Sequence, residues 1–327
     1  MLIIDSPFTD AYFNIASEEY LLSRFPAEEI FLLYVNAPAI IVGKFQNTLA
    51  EINLDYVTAN KIKVVRRLSG GGAVYHDLGN LNFSFHTLLG DKDFMEFSTF
   101  TQPIVQLLNN LAIPAKLEGR NDLLVDGKKF SGNAKVVKNG KMIQHGTILL
   151  DSDMGVLADA LQINPLKFTD KAVKSNRSRV TNLLPYLPAG MSLLEFKDLL
   201  INEMLKANEG ASMYRLDNED EQAITELIRN KYATWDWNFG FSPDYNFKKA
   251  IKVQAGFIEL HLDVHKGYIE RIKVFGDFFA AQPIEEFEQQ LVGKRHALPT
   301  IAKLLETIDL TAYFGKVEVN EILTLFH

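Results

Sequence analysis

Cysteine is absent from all 327 residues, which excludes disulfides, thiolate metal sites and any covalent thioester step together. Tryptophan is scarce, with two residues, both inside one short stretch near residue 235. The seven histidines are scattered without a spacing such as HExxH, so no catalytic metal held by protein ligands is expected. Basic excess is lacking as well. With 34 Lys and Arg against 41 Asp and Glu the formal net charge is −7, which argues against general nucleic-acid binding, because neutralising a phosphodiester backbone takes a basic face. No apolar run approaches the roughly 18 residues that cross a bilayer. The N-terminal MLIIDSPFTD has no basic leader followed by an apolar stretch, so a soluble cytoplasmic protein without membrane association is expected.

What is present is enough apolar sequence, 47% of the chain, for more than one core. A chain this long is expected to form a large domain plus a smaller one, here 1–240 and 247–327, with the tryptophan-bearing TWDWNFGFSPDYNF at 234–247 as connector. Helical spacing of Ala11, Ile15, Leu21 and Leu22 after a Thr9 or Asp10 cap predicts a first helix over 10–24. FLLYV at 31–35 and AIIVG at 39–43, separated by Asn36, Ala37 and Pro38, read as a hairpin. Strands over 63–68 and 81–88 flank a glycine loop. A helix over 98–111 precedes strands at 123–125, 135–137 and 142–150, with Asp126–Gly127 and Asn139–Gly140 as hairpin turns. Helices follow at 191–208 and from 217. Beyond the connector, two alternating strands meet at Lys266–Gly267, then helices cover 284–291 and 299–308. The fold class is α+β.

Two segments carry the chemistry. RRLSGGGAVYHD at 66–77 places three glycines, whose backbone N–H groups approach a phosphate where a Cβ would collide, after two arginines that offer planar forks to the same oxygens. Strands on both sides distinguish this loop from the strand-to-helix phosphate loop of Walker type. GRNDLLVDGKKFSGNAK at 119–135 adds a second loop with Lys128 and Lys129 ahead of Ser131 and Gly132.

These two blocks, followed by QHGTILLDSD, SRVTNL at 178–183 and WDWNFGFSP, resemble the lipoate-protein ligase family over the whole chain. SNRSRV at 175–180 departs from the family's more frequent SVRSRV, which bears on one loop contact. The resemblance implies a catalytic domain shared with biotin ligases, built of mixed β-sheets with packed helices, plus a small α+β C-terminal domain. It implies that lipoate and ATP, with Mg²⁺ in the substrate complex, give lipoyl-AMP and pyrophosphate. The lipoyl group then passes to a lysine of lipoyl domains in the E2 subunits of 2-oxo-acid dehydrogenases or of the glycine cleavage H protein. Arg67, Gly72, Ala73, Val74, Tyr75 and Lys129 match the nucleotide positions, and Gly70 and Gly71 support them. Lys129 also matches the lysine that meets the lipoate carboxyl and the adenylate, where it holds the mixed anhydride rather than acting as nucleophile. Lys128 lies outside the KxSG spacing.

Other residues carry two readings each. Asn121 and Asp122 match a pair facing the nucleotide, where they orient Lys129 or a magnesium water, or else form an Asx turn. His76 is expected at the lipoate, whereas His145 is expected to satisfy a backbone hydrogen bond. Arg66, out of phase with Arg67, is free to face solvent. Glu18 and Glu19 match a helix beside the family's lipoate pocket, yet read more simply as an exposed pair. Lys128, Lys129, Lys135, Lys138 and Lys141, with Lys171, Lys174, Arg177 and Arg179, suggest a basic rim for an acidic acceptor. Competing functions are a cysteine-independent octanoyl or lipoyl transferase between carrier proteins, a biotin ligase, whose GRGRxG motif is absent, and a non-catalytic relative that binds lipoyl domains.

Overall fold

The computed structural model describes residues 1–90, 96–119, 121–161, 168–170, 180–242, 244–254, 256–276 and 282–327. From the N-terminus the chain forms β1 (Leu2–Asp5), α1 (Ala11–Arg24), β2 (Ile30–Val35), β3 (Ala39–Val42), α2 (Thr48–Glu51), α3 (Leu54–Ala59), β4 (Lys63–Arg66), β5 (Val74–His76) and β6 (Asn80–Leu88). Then come α4 (Ser98–Asn110), β7 (Lys116–Glu118), β8 (Asp122–Val125), β9 (Lys128–Lys138), β10 (Lys141–Leu149), α5 (Met154–Ala160) and β11 (Phe168–Asp170). α6 (Leu193–Ala207), β12 (Ser212–Met213) and α7 (Asn218–Leu227) precede β13 (Tyr245–Val253), β14 (Gly256–His265), β15 (Tyr268–Gly276), α8 (Ile284–Leu291), α9 (Leu298–Leu305), α10 (Leu310–Phe314) and α11 (Val319–Leu323).

Contacts divide the chain into two units, one of Met1–Lys44, Ile62–Asp159 and Ser175–Thr234, the other of Phe45–Lys61, Ala160–Lys174 and Trp235–His327. In the first, eight strands run in the order β12-β1-β2-β6-β10-β9-β8-β7, and three form a separate sheet β4-β3-β5. The expected hairpin at 31–43 is therefore not one. β2 pairs with β1 and β6, whereas β3 pairs with β4 and β5. The intervening Asn36–Ala37–Pro38 carries the chain from one sheet to the other, and the Ala37 N–H bonds to the Thr9 carbonyl instead of across a hairpin.

Strand alternation gives the large sheet two different faces. Phe31, Leu33, Phe83 and Phe85 point to one, packing with Ile104 and Leu108 of α4 and Phe196 and Leu200 of α6 in a dry core. Tyr34, Asn82, Ser84, His86, His145 and Thr147 share the other, as the register Tyr34↔Asn82, Ser84↔His145 and Asn82↔Thr147 requires. α1 covers this second face. Asp10 caps it, accepting from the Tyr12 and Phe13 N–H groups, and most of its residues are buried.

Local turn chemistry acts as the sequence predicts. Asp126–Gly127, Asn139–Gly140 and Lys266–Gly267 each hold two successive positive φ angles, the pattern of a two-residue hairpin turn. The second loop expected at 119–135 is instead mostly strand, since Lys128–Lys138 is continuous, with turns at Gly119 and Asn121 and at Asp126–Gly127.

The second unit is built on the sheet β11-β13-β14-β15, one strand more on the Lys266–Gly267 hairpin than the two expected, with β11 added at the edge. Its core joins Phe247, Leu260 and Ile272 to Phe287, Ile301 and Phe314 of the helices. Trp235 belongs to this unit, with its ring against the Gly267 turn and the Arg295 guanidinium 5.2 Å above it. No helix among the described residues is long and apolar enough to cross a membrane.

Candidate functional site

Arg67 organises the glycine loop from behind. Its guanidinium donates to Ser69 Oγ (2.9 Å) and to the carbonyls of Ile41 (3.1 Å), Gly70 (2.7 Å) and Gly72 (2.8 Å). A planar fork that meets the loop at two carbonyls fixes its curvature. Gly71 takes φ +93°, and its carbonyl lies so close to Gly43 that a Cβ there would sit 2.1 Å from it. The backbone N–H groups of Gly70, Gly71 and Gly72 have no intramolecular acceptor among the described residues. Three adjacent unpaired donors in one turn make a nest for an anionic oxygen.

Arg66 also turns inward, with no exposed surface, donating to the carbonyls of Gly43 and Lys44 at 3.0 Å each. Solvent exposure, left open by strand alternation, does not occur, because the loop after β3 folds over it. Burial pushes both guanidinium groups down to about 10, with Glu18 and Tyr34 holding Arg67 against further loss. Both therefore stay charged at neutral pH.

Ser69 ties the loop to the large sheet. Its Oγ lies 2.6 Å from His145 Nε2, His145 Nδ1 lies 2.7 Å from Glu18 Oε2, and Tyr34 Oη donates to Glu18 Oε1 at 3.0 Å. Glu18 is 2% exposed. Burial pushes its carboxyl up, but His145, His86 and Tyr34 together bring it net below the usual value. The exposed-pair reading of Glu18 and Glu19 is thus overturned. Glu19 is partly buried, accepting from Lys231 Nζ and Tyr232 Oη at 2.6 Å each and pairing with Lys138. His145 bonds side chains rather than the backbone hydrogen bond expected of it.

Lys129 is placed by β9 and its neighbours. It pairs with Asp122 Oδ1 at 2.9 Å, one of the two readings of the Asn121–Asp122 pair. Asn121 instead clamps β9, its amide donating to the Asn133 carbonyl and its own carbonyl accepting from Asn133 at 3.0 and 3.1 Å. A bulge at β8–β9 leaves Phe130 in the core. The Lys129 chain lies across Gly132, where a Cβ would be 2.9 Å from both its Cε and its Nζ. Gly132 N–H in turn meets Thr147 Oγ1 at 3.4 Å, on the sheet face that carries His145. The Lys129 carbonyl accepts from Thr181 at 2.9 Å, so the TNL block backs the same strand.

The family model for the lipoyl protein ligase A/B catalytic domain matches residues 10–205, and that for the bacterial lipoate protein ligase C-terminus matches 242–326. Lipoate--protein ligase 1 of Staphylococcus aureus is 44% identical over 99% of this chain and 98% of its own length.

The chain belongs to the lipoate-protein ligase family.

Among solved structures, P. falciparum LipL1 in complex with lipoate matches with TM-score 0.64 and 25% identity over 99% of this chain and 98% of that one. A lipoate-protein ligase A bound with ATP matches with TM-score 0.59 and 25% identity over 73% and 98%. The mixed sheets with packed helices are those of these ligases, and the match to LipL1 extends over the C-terminal α+β domain as well.

Two of the lysines expected in the basic rim, Lys135 and Lys141, are buried and take no part in it. Lys135 faces the opposite side of the sheet, buried against the Glu96 carbonyl and over the Phe97 ring. Lys141 is buried too, donating to the carbonyls of Phe25 (2.6 Å) and Glu28 (2.9 Å). Period-2 alternation and buried carbonyls, which charge counting ignores, explain the difference. Lys171, Lys174, Arg177 and Arg179, and most of SNRSRV, lie outside the described residues. Ser69, Tyr34 and His86 escape a sequence reading because each is an ordinary strand or turn residue. Only the fold assembles them with Glu18 and His145.

Proposed function

We propose that the ligase condenses lipoate with ATP, carrying Mg²⁺ on its phosphates, to lipoyl-AMP and pyrophosphate. It then transfers the lipoyl group to one lysine of a lipoyl domain of a 2-oxo-acid dehydrogenase E2 or of the glycine cleavage H protein, in the cytoplasm. Residues 1–240 carry the catalysis and 247–327 form an accessory domain. What supports this reading above all is the row of unpaired N–H groups at Gly70, Gly71 and Gly72 on a loop joined by Ser69 to His145, together with Lys129 laid over Gly132 beside Thr147.

In the first step a lipoate carboxylate oxygen attacks the α-phosphorus of ATP and pyrophosphate leaves, so two anions must be brought together. Gly72, Ala73, Val74 and Tyr75 line the nucleotide, with Gly70 and Gly71 supplying donors and the buried Arg67 supplying positive charge and loop shape. Lys129 neutralises the carboxylate, and Asp122 aims it. Deleting one donor at a developing charge costs about 100- to 1000-fold in rate. In the second step the acceptor lysine nitrogen attacks the acyl carbon and AMP leaves. At an unperturbed pKa of about 10.4 only roughly one amine in 2500 is neutral at pH 7, so stabilising the oxyanion by Lys129 matters most there.

Pyrophosphate release from pure protein with ATP and lipoate, followed by the mass gain of an added lipoyl domain, tests both steps. Lys129→Ala should abolish product and Lys128→Ala should not; equal effects would remove the assignment of Lys129.

A further inference from the structure

His76 ends β5 directly after the glycine loop and is 3% exposed. A neutral imidazole carries its proton on one of two nitrogens, and the hydrogen-bond partners decide which. Here the partners form a chain that starts from a backbone carbonyl. The Asn14 amide nitrogen donates to the Phe8 carbonyl at 2.8 Å, while Ser6 Oγ donates to Asn14 Oδ1 at 2.7 Å. A carbonyl only accepts, so the orientation of the Asn14 amide is fixed. The same nitrogen donates to Asn36 Oδ1 at 2.8 Å, which turns the Asn36 nitrogen toward His76. Asn36 Nδ2 lies 3.0 Å from His76 Nδ1. An amide nitrogen only donates, so Nδ1 accepts and the proton sits on Nε2.

Nothing among the described residues receives that proton. His76 Nε2 is buried without a partner, whereas Asn14 and Asn36, both fully buried, are satisfied. A sealed, unused donor costs about 1–3 kcal/mol, and such exceptions in a folded protein call for an explanation. We propose that Asn14 and Asn36 are positioning residues, which hold His76 in its Nε2–H form so that it donates one hydrogen bond to an oxygen of the bound acyl group. The identity of the acceptor rests on the ligase reading above; the tautomer does not. Burial, with Arg67 and His145 adding to it, pushes His76 down to about 3, so the donor remains neutral at working pH and adds no charge to the cluster.

Long-range ¹H–¹⁵N spectra of the full-length protein labelled at histidine nitrogen read the tautomer directly, with the His76 signals assigned by their loss in His76→Gln. The expected result is a protonated-type Nε2 and an unprotonated-type Nδ1, with Nε2 moving when lipoate and a non-hydrolysable ATP analogue are added. A protonated Nδ1 in the unsubstituted protein overturns the proposal regardless of activity. An Nε2 signal unmoved by lipoate and the analogue, in protein that releases pyrophosphate, overturns the acyl contact. Absence of pyrophosphate release with the Nε2–H form intact refutes the ligase reading and leaves the positioning role standing. Asn36→Asp replaces the donor with an acceptor and should protonate Nδ1, raising KM for lipoate about tenfold, the size of one lost hydrogen bond, with a smaller change in kcat. If Asn36→Asp does not fold, the spectra of the unsubstituted protein still decide.

Discussion

Two glycines outside the triple-glycine run control the site through what a methyl group would strike. At Gly132 the obstacle is the end of Lys129, with Cε and Nζ both 2.9 Å from the missing Cβ. A flexible chain end moves aside at little cost in stability, but in moving it leaves Asp122. Gly132→Ala is therefore expected to lower the rate of pyrophosphate release about 100-fold, the scale of one misplaced charge-stabilising group, with an unchanged melting temperature. An unchanged rate would mean that Lys129 does not work from this position. At Gly43 the obstacle is backbone, the Gly71 carbonyl at 2.1 Å. Nothing there is free to rotate away, so Gly43→Ala must displace the glycine loop and, on the proposed reading, should raise KM for ATP more than KM for lipoate. The KxSG and GGG spacings are legible in the sequence, whereas Gly43 is not. Its constraint comes from a carbonyl contributed by a different strand connection.

α1 is the element that joins most of these parts. Glu18 reaches β2 and β10 through Tyr34 and His145. Glu19 reaches β9 and Lys231 and Tyr232 of the π-helical segment Ile228–Tyr232 that follows α7. Tyr20 and Arg24 reach Asp220 of α7, which also accepts from Tyr214 at 2.6 Å. Asp220 has no exposed surface. Burial pushes its carboxyl up, but the hydroxyls of Tyr214 and Tyr20, the Asp217 N–H and Arg24 bring it net below its usual value. Asp220→Ala strands two hydroxyls and a capping interaction, so a loss of about 3 kcal/mol is expected in urea unfolding; a loss below about 0.5 kcal/mol would show that the hub is incidental. The helix itself is legible from the Asp10 cap and the spacing of Ala11, Ile15, Leu21 and Leu22, as the Asn139–Gly140 turn is from its residue pair. Its carboxylates are not, because a buried Glu18 is recognisable only with His145 in view, 127 positions away. β2 and β3 mislead for a related reason. Two β-rich runs joined by Asn36–Ala37–Pro38 satisfy every local rule for a hairpin, and only the competing pairings of β6 and β4 decide otherwise.

Over the molecule as a whole, the sequence shows the two blocks that the family models match but not that Phe45–Lys61 packs with the C-terminal unit, since no local signal marks an excursion between β3 and β4. The first unit also encloses, beneath α1, a polar layer that a hydrophobic pattern does not reveal, and this layer sets its response to acid. Burial drives His76 down to about 3, assisted by Arg67 and His145, and His86 down to about 4, where Lys141 and His145 assist burial and Glu18 opposes it. In the unfolded chain both titrate near 6.5. Below that pH the unfolded state binds more protons than the folded one, so stability is complete above about pH 6.5 and falls as pH drops toward the folded values. Glu18 and Asp220, held below their usual carboxyl values, add a loss of the same sign at still lower pH. Each histidine contributes a slope of up to about 1.4 kcal/mol per pH unit, so between pH 6.5 and 4.5 the pair removes up to about 5 kcal/mol, comparable with the whole stability of many domains. The urea midpoint should fall steeply over that interval, and His86→Gln, which keeps a hydrogen-bonding amide but no titrating group, should remove about one proton's share of the slope. A midpoint that stays level from pH 6.5 to 4.5 would mean that these imidazoles accept protons in the folded state, and the closed polar layer beneath α1 would then be wrong.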